Sequence, residues 1–440
     1  MPRAIFTDRQ SPCLKPIRDW LWGAAALVFA PVTVFAANGM VIPLGLLALA
    51  APGVSALRNT LSGLARTGVG WSLGGLLGLA ALSLFWTPAP GDAADKLLRL
   101  AILWLGGVSA LSAVNTADRT RIKWFARLLP AAVCLALLFY WIELASSARL
   151  ITLLTGLREV MQARYGTPEE QEYFRALYGF GAISRGAVLL TIFVWPAMAC
   201  CAALFSGWGK WLAPTLGGAV FTTVFFLPMQ AAPLAMGAGA VAFLLAWCAP
   251  RRGPRLLAAL MIVLIGVVPL SAYQIARPEA LGVAKSALPG SWQHRVEIWH
   301  YSAGKIAHKP VLGWGFDASR GIERGQTQFV LETPDGGRRT FPGVSLLPLH
   351  PHNGVLQIWL ELGAIGALLA ALFVFGLGRR LVDFTAGHGR FAGAAAAACA
   401  SSALTIALLS FGLWQSWWQA SLWLAAVLCL GAGRSLAARL

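Results

Sequence analysis

Residues 349–366 read LHPHNGVLQIWLELGAIG and change from polar to apolar within a few positions. Two histidines flank Pro351, and the run that follows is suited to a lipid environment. Pro351 disfavours a helix before it, and Asn353 is a predicted N-cap for a helix that continues from Gly354. The stretch therefore predicts a membrane helix whose start, at His352, lies where water gives way to lipid.

The rest of the chain has the same apolar character. Of its 440 residues, 58% are hydrophobic and 12% are charged, roughly half the charged fraction of a soluble protein. Apolar runs of about 20 residues, each able to cross ~30 Å of hydrocarbon, follow one another, and the alternating pattern of a β-barrel is missing. The sequence predicts an all-α polytopic integral membrane protein of about twelve transmembrane helices. They lie near 19–37, 40–57, 68–87, 97–115, 125–146, 186–206, 211–228, 232–249, 256–276, 353–377, 391–413 and 417–433.

The Lys and Arg residues are distributed unequally between the two predicted sides of the membrane. With the N-terminus inside, the tails and the loops after even-numbered spans hold nineteen Lys and Arg, whereas the short loops opposite hold Lys96 and Arg99. This bias predicts two cytoplasmic termini, and it explains the net charge of +17 without nucleic-acid binding. The predicted organisation has spans one to nine in 1–276, with an interfacial outer loop at 147–185. A large outer loop follows at 277–352, and spans ten to twelve lie in 353–440.

Polar chemistry is concentrated in the two long outer loops. The 277–352 loop holds five of the six histidines and many cations. A membrane protein with cations and imidazoles on one side is expected to handle an anion there. None of the seven cysteines lies in these loops, so no disulfide framework or thiolate metal site is predicted.

The 147–185 loop is predicted to contain an interfacial helix. Apolar residues recur in it at helical spacing. Arg185, beside Gly186 at the edge of the sixth span, has two interpretations: its guanidinium points into the bundle, or it anchors the helix at the membrane surface. The apolar positions are Leu150, Leu153, Leu154, Leu157, Val160 and Met161.

The 277–352 loop contains SWQHRVEIWHYSAGKIAHKPVLGWGFD at 291–317. We expect a helix that ends at Lys309-Pro310, with Arg295 at the edge of its apolar stripe. Gly313-Trp314-Gly315 would then let the backbone approach another segment closely. The stripe consists of Trp292, Val296, Trp299, Ala303 and Ile306.

The start of the tenth span offers candidates for chemistry. An imidazole such as that of His352 is the natural general base at neutral pH, although an interfacial histidine satisfied by lipid headgroups is the alternative. Gln357 and Glu361 lie on the helical face of Asn353, and a carboxylate within a span is usually functional or paired. His350 is expected to lie in a flexible approach and to matter less.

Two motifs resemble those of a known family. HNGVLQIWLELGAIG is similar to the His-Asn-x-x-Leu-Gln signature and the following Glu-x-Gly-x-x-Gly of bacterial O-antigen ligases and related polymerases of the Wzy-C-like membrane glycosyltransferases. HRVEIWHYSAGKIAHKPVLGWG resembles their Arg-x-x-x-Trp followed by Pro-x-x-Gly-x-Gly. The predicted spans, with the large loop between spans nine and ten, are similar to the ligase layout over essentially the whole chain.

The resemblance implies a periplasmic, inverting glycosyltransferase of the bacterial inner membrane. It would transfer O-antigen polysaccharide from undecaprenyl pyrophosphate to lipid A-core, among membrane lipids, with no cofactor and no metal or nucleotide. His352 would be the base, and Arg295 and Arg185 would hold the pyrophosphate. Asn353, Gln357, Glu361 and Trp314 would support the site. In one departure, PMQAAPLAMG has Gln230 where many relatives place a Ser/Thr-Arg pair, so Arg185 is the candidate for the second arginine.

Rival functions remain open from the sequence. An O-antigen polymerase or a protein O-glycosyltransferase of the same superfamily would use the same donor with another acceptor. A lipid or solute transporter is a more distant alternative, since transporters place ion-binding groups and broken helices at the bilayer midplane. Apart from Glu361, the predicted spans lack such charges.

Overall fold

A computed structural model gives the fold, and it describes residues 15–156, 159–160, 167–274, 287–288, 290–322, 328–332 and 337–438. Long helices account for most of these residues, because backbone groups in lipid must be paired within the segment itself. The helices of the first half are α1 Lys15–Phe35, α2 Val41–Leu49, α3 Val54–Ala65, α4 Gly68–Leu82, α5 Pro90–Thr116, α6 Arg119–Ala145, α7 Arg149–Thr155 and α8 Pro168–Leu204. Those of the second half are α9 Leu212–Phe225, α10 Ala231–Cys248, α11 Gly253–Gln274, α12 Gly290–His308, α13 Ser319–Ile322, α14 Gly354–His388, α15 Arg390–Leu409 and α16 Ser416–Ala437.

The predicted fold class is confirmed. Within the described ranges, ten helices are long and apolar enough to cross a membrane, or eleven if one bent pair counts as a span. The shorter α9 is the apolar helix that corresponds to the predicted seventh span. Each predicted span near 19–37 through 417–433 therefore coincides with one helix, except that the seventh is short and the second is divided.

The second predicted span, 40–57, is bent rather than straight. It divides into α2 and α3, whose surrounding helical segments Ala37–Leu49 and Val54–Ala65 meet at 113°. Pro52 cannot continue a helix, and Gly53 has φ +132°, a conformation that favours glycine. The chain therefore turns sharply after α2.

Helix α8 lies at the centre of the bundle. Its second half is almost completely buried, and it packs against α15, α16, α6 and α9. The helix begins at Pro168, so the second part of the 147–185 loop is helical. Of the predicted interfacial stripe, Leu153 and Leu154 on α7 are exposed, whereas Leu157 and Met161 lie outside the described residues.

The 277–352 loop packs on one end of the bundle through α12. This helix ends at His308, as Lys309-Pro310 predicts, and it packs against α11 and α14. Val296, Ala303 and Ile306 of the predicted stripe are buried. The loop also contains two antiparallel strands, β1 Gln328–Glu332 and β2 Arg338–Ser345, which the sequence pattern did not indicate.

Candidate functional site

The start of α14 is fixed by its predicted N-cap. The backbone of Asn353 is extended, as is usual for the residue before a helix. Its side-chain Oδ1 accepts from the N–H groups of Val355 and Leu356 at 3.0 Å each. Such a cap satisfies two donors that have no partner within the helix. Asn353 is buried, so the start of α14 lies inside the protein.

His352 directly precedes this cap and has a defined ring orientation. Its Nδ1 lies 2.6 Å from the carbonyl oxygen of Ser410, in the connection between α15 and α16. A carbonyl oxygen only accepts, so Nδ1 carries the proton in the neutral ring and Nε2 keeps its lone pair. Burial lowers the pKa of His352 below its ordinary value, and the positive charges of Arg295 and His294 lower it further. The hydrogen bond to Ser410 raises this pKa but does not offset the lowering. The ring is therefore a neutral acceptor at neutral pH.

Arg295 lies on α12, four residues before Trp299, whose indole N–H donates to the Pro351 carbonyl oxygen at 3.1 Å next to His352. Its positive charge lowers the pKa of His352. The guanidinium carbon stacks 5.5 Å from the centroid of the Trp292 ring, and the side chain is partly buried. The indole N–H of Trp292 donates to Gln230 Oε1 at 2.6 Å. The PMQAAPLAMG stretch therefore lies next to the Arg295 region, but it supplies an amide there and no cation.

The structure does not link Arg185 to His352 by a described contact. Its side chain is exposed on α8, just before the buried half of that helix, and it forms no ion pair with a described residue. The neighbouring Gly186 faces the Thr33 carbonyl and the Tyr140 hydroxyl so closely that a side chain there would not fit. Arg185 thus lies at the edge of the bundle, as its sequence position indicates.

A break in α14 joins the two sequence motifs. Gly363 has φ +61° and ψ −159°, which interrupts the helix. Segment 310–315 enters this break. The N–H groups of Trp314 and Gly315 donate to the carbonyl oxygens of Leu360 and Glu361 at 2.8 Å each. The N–H groups that follow the break donate in turn to segment 310–315, from Ala364 to Pro310 and from Ile365 to Val311.

The glycines of both motifs are required by this close approach. Gly313 and Gly315 have φ of +66° and +101°, a region that L residues with side chains rarely adopt. A Cβ on Gly313 would overlap the backbone of Glu361 and Gly363, and one on Gly363 would overlap the Val311 carbonyl. The Gly-x-Gly of one motif and the Glu-x-Gly of the other therefore form one structural unit.

The carboxylate of Glu361 is the polar centre of this unit and is fully buried. Its Oε1 accepts from Ser319 Oγ at 2.7 Å and from Gln357 Nε2 at 3.2 Å. Its Oε2 accepts from the Asp317 N–H at 3.0 Å and from the Trp414 indole at 2.7 Å. The predicted shared face of Gln357 and Glu361 is confirmed by their contact. The other three donors hold the loop (Asp317 and Ser319) and the connection before α16 (Trp414) to α14.

The side chain of Trp314 is held by contacts with the end of α12. Its indole N–H donates to the carbonyl oxygen of Lys305 at 2.9 Å, and Lys309 Nζ lies 4.2 Å from the ring centroid. The end of α12 is thereby tied to the segment that enters the α14 break.

Lys96 and Asp317 extend the network to α5, and sequence reasoning did not find them. Lys96 Nζ and Asp317 Oδ1 lie 2.5 Å apart, with Arg320 Nε 3.3 Å from the other carboxylate oxygen. Asp317 is buried and has φ +56°. From the sequence, Lys96 is one of two cations in the short loops of the less basic side, and this rarity is the one signal that marks it. Among the described residues, no cluster of three or more His, Cys, Asp or Glu is arranged to hold a metal.

The expectation that His350 lies in a flexible approach is wrong. Its side chain is only 7% exposed, and its ring lies 4.3 Å from the ring of His352, centroid to centroid. A side chain on Gly412 would overlap the His350 ring, so the connection before α16 closes over it. Such burial depends on a distant segment, which local sequence could not indicate.

Comparison with known proteins agrees with the two motifs. Residues 216–371 match the family model described as O-Antigen ligase. A protein of Rickettsia felis named "Putative polysaccharide ligase" is 32% identical over 248 residues, which are 56% of this chain and 58% of that protein. Polysaccharide ligases so named from Rickettsia prowazekii and Rickettsia conorii are each 31% identical, over 56% of this chain and 57% of their own length.

The matched part thus spans somewhat more than half the length of these relatives. The family match includes Arg295, His352 and Glu361 and does not reach Arg185. These findings confirm the resemblance to an O-antigen ligase-like family.

Proposed function

We propose that this chain is an inverting glycosyltransferase of the O-antigen ligase type, which transfers O-antigen polysaccharide from undecaprenyl pyrophosphate to lipid A-core. The proposal places the site on the periplasmic side of the inner membrane, with both termini cytoplasmic. Its support is the family match over residues 216–371 together with the geometry around His352. The observation that carries it is the Nδ1 contact of His352 with the Ser410 carbonyl, which leaves the acceptor lone pair of the neutral ring on Nε2.

The reaction needs one base and stabilisation of one anion. The acceptor hydroxyl oxygen forms a bond to C1 of the donor sugar, while the bond from C1 to the pyrophosphate oxygen breaks. The leaving pyrophosphate takes the electron pair, and the proton of the hydroxyl passes to His352 Nε2. One displacement of this kind inverts the anomeric centre, and general-base catalysis of this type contributes about 10²–10⁴-fold.

The arginines would stabilise the departing pyrophosphate. A guanidinium donates two parallel hydrogen bonds to phosphate oxygens and does not lose its proton. The charge of Arg295 lowers the pKa of His352, and its guanidinium lies against the Trp292 ring, so it is the first candidate for this role. We assign Arg185 to the second arginine on its position at the edge of the bundle, since Gln230 supplies no charge.

The location of His352 suits two amphiphilic substrates. Both carry lipid tails in the membrane and sugars in water, so their reacting atoms can meet only near the interface. His352 directly precedes the N-cap of α14, and this helix has the length and apolarity of a span. A base on a capped helix start is more rigid than one on a loop tip.

The break at Gly363 is the feature that a transporter would share, since transporters use discontinuous helices at their binding sites. Here four backbone groups next to the break pair with segment 310–315. In a transporter these groups would bind the transported ion or substrate. The break therefore supports an anchoring role for the 277–352 loop.

The test is transfer by the purified protein in lipid nanodiscs, with a lipid-linked O-antigen donor and lipid A-core. We expect polysaccharide joined to the core in the presence of EDTA and without ATP, because the donor already carries its leaving group. Product in which donor repeats are joined to each other, or to a protein, would instead indicate the polymerase or the protein O-glycosyltransferase. Reporter fusions that place residue 330 in the cytoplasm would contradict the proposed orientation.

A further inference from the structure

His352 has a strained backbone that its neighbours must maintain. Its φ is +55°, in the left-handed region, which costs an L residue roughly 1–2 kcal/mol. Two described hydrogen bonds hold the residue: the ring Nδ1 donates to the Ser410 carbonyl oxygen at 2.6 Å, and the backbone N–H donates to His350 Nδ1 at 3.2 Å. The direction of His352 Nε2 depends on both.

His350 is itself held from two sides. Its ring is covered by Gly412, and its Nε2 lies 3.3 Å from the side-chain nitrogen of Gln415. Because Nδ1 accepts from His352, Nε2 carries the ring proton, and this second contact is a close approach of two donors rather than a hydrogen bond. Its Nδ1 can accept only while it is unprotonated. Burial lowers the pKa of His350 to about 3, with further lowering by the positive charges of Lys96 and Arg320. The ring thus remains a neutral acceptor across the physiological range.

We propose that His350 is a positioning residue: its Nδ1 fixes the backbone of His352 in the left-handed conformation that directs the catalytic Nε2 to the acceptor hydroxyl. This inference rests on the proposed function, in which His352 is the general base. It differs from a packing role, because it requires an acceptor atom at one particular position of the side chain.

A matched pair of polar variants separates the two roles. In His350→Asn, the side-chain oxygen can occupy nearly the position of the imidazole Nδ1, whereas in His350→Gln it lies closer to that of Nε2. His350→Leu fills the space without an acceptor. A displacement of about 1 Å at a catalytic group can cost 10²-fold in rate, so we expect kcat to fall roughly 10–100-fold in the Gln and Leu variants while KM changes little. The Asn variant should keep a rate within about threefold of wild type.

The experiment measures kcat and KM for transfer by each purified variant in nanodiscs, with folding checked by thermal melting. Equal rates for His350→Asn and His350→Gln, or a His350→Leu protein as active as wild type, would overturn the inference. An added loss when His350→Gln is combined with His352→Ala would also overturn it, because a positioning residue acts only through the base. If His352→Ala itself has the wild-type rate, the proposed base is wrong, and that result is distinct from a failure at His350.

Discussion

The backbone N–H of Gly315 donates to the carbonyl oxygen of Glu361 at 2.8 Å. This hydrogen bond joins the Gly-x-Gly motif of the 277–352 loop to the Glu-x-Gly motif of α14. Both motifs therefore serve one purpose in this structure, which is to fix the loop on the end of the bundle where His352 lies.

Gly363→Ala should destabilise the protein strongly. The added Cβ would overlap the Val311 carbonyl, and φ +61° with ψ −159° is a backbone region that is essentially restricted to glycine and costs other residues about 1–3 kcal/mol. We expect a loss above about 2 kcal/mol, seen as a lower melting temperature in detergent. Gly266→Ala on α11 is the control, because a Cβ there meets nothing within 4 Å. Equal melting temperatures for the two variants would contradict the described break.

Glu361→Gln should lower both stability and activity, although it is nearly isosteric. An amide can accept at one atom only, whereas two donors face each carboxylate oxygen of Glu361. Each buried donor left without a partner costs about 1–3 kcal/mol. Melting temperature and transfer rate are the measurements, and Asp95→Asn, at an exposed carboxylate paired with Arg99, is the control. A fully stable Glu361→Gln protein would show that the contacts with Asp317 and Ser319 do not hold the loop.

His352→Ala should abolish transfer while expression and membrane insertion stay normal. Loss of a general base predicts a rate lower by about 10²–10⁴-fold. His308→Ala is a matched control, since His308 is an exposed histidine at the end of α12 whose ring contacts only the Gly304 carbonyl among the described residues. Smooth lipopolysaccharide formed at a near-normal rate by His352→Ala would mean that His352 is an interfacial residue.

Arg295→Ala and Arg185→Ala should each impair transfer, and Lys at either position should restore little. Lys keeps the charge but loses the paired donors of the guanidinium. Loss of one such contact would cost ~3 kcal/mol, roughly a hundredfold in rate. Arg99→Ala removes an exposed cation that pairs with Asp95 and should be silent. Full activity of Arg185→Ala would show that Arg185 does not hold the pyrophosphate, and it would favour the alternative role as an anchor at the membrane surface.

The pH dependence of transfer should have an acidic limb below the ordinary histidine range. The neutral form of His352 is the active one, and its pKa is lowered from about 6.5, so activity should persist at pH ~6.5 and fall as the pH drops further. Arg295→Gln removes a charge that lowers this pKa, and its residual activity should therefore fall at a higher pH than that of the wild type. A pH–rate profile of both proteins gives the comparison. An acidic limb at the same pH in both would show that the Arg295 charge does not act on the catalytic base.

The sequence by itself determined the features that depend on neighbouring residues. Runs of apolar residues located the helices, Asn353 marked the start of α14, and Lys309-Pro310 marked the end of α12. Helix formation, capping and termination are decided within a few residues, so a single sequence carries them. The spacing of Gln357 and Glu361 likewise predicted one shared face, because residues four apart are neighbours on a helix.

Only the tertiary structure decided how the site is held together. Gly363 lies in an apolar run and reads as an ordinary helical residue, since a glycine in a helix costs only about 1 kcal/mol. It breaks α14 because segment 310–315 supplies the missing backbone partners. The proton position on His352 depends on Ser410, 58 residues away, and the Asp317 carboxylate pairs with Lys96 across 221 residues. Contacts between such distant segments depend on how the helices pack. Local propensity and residue spacing do not determine that packing.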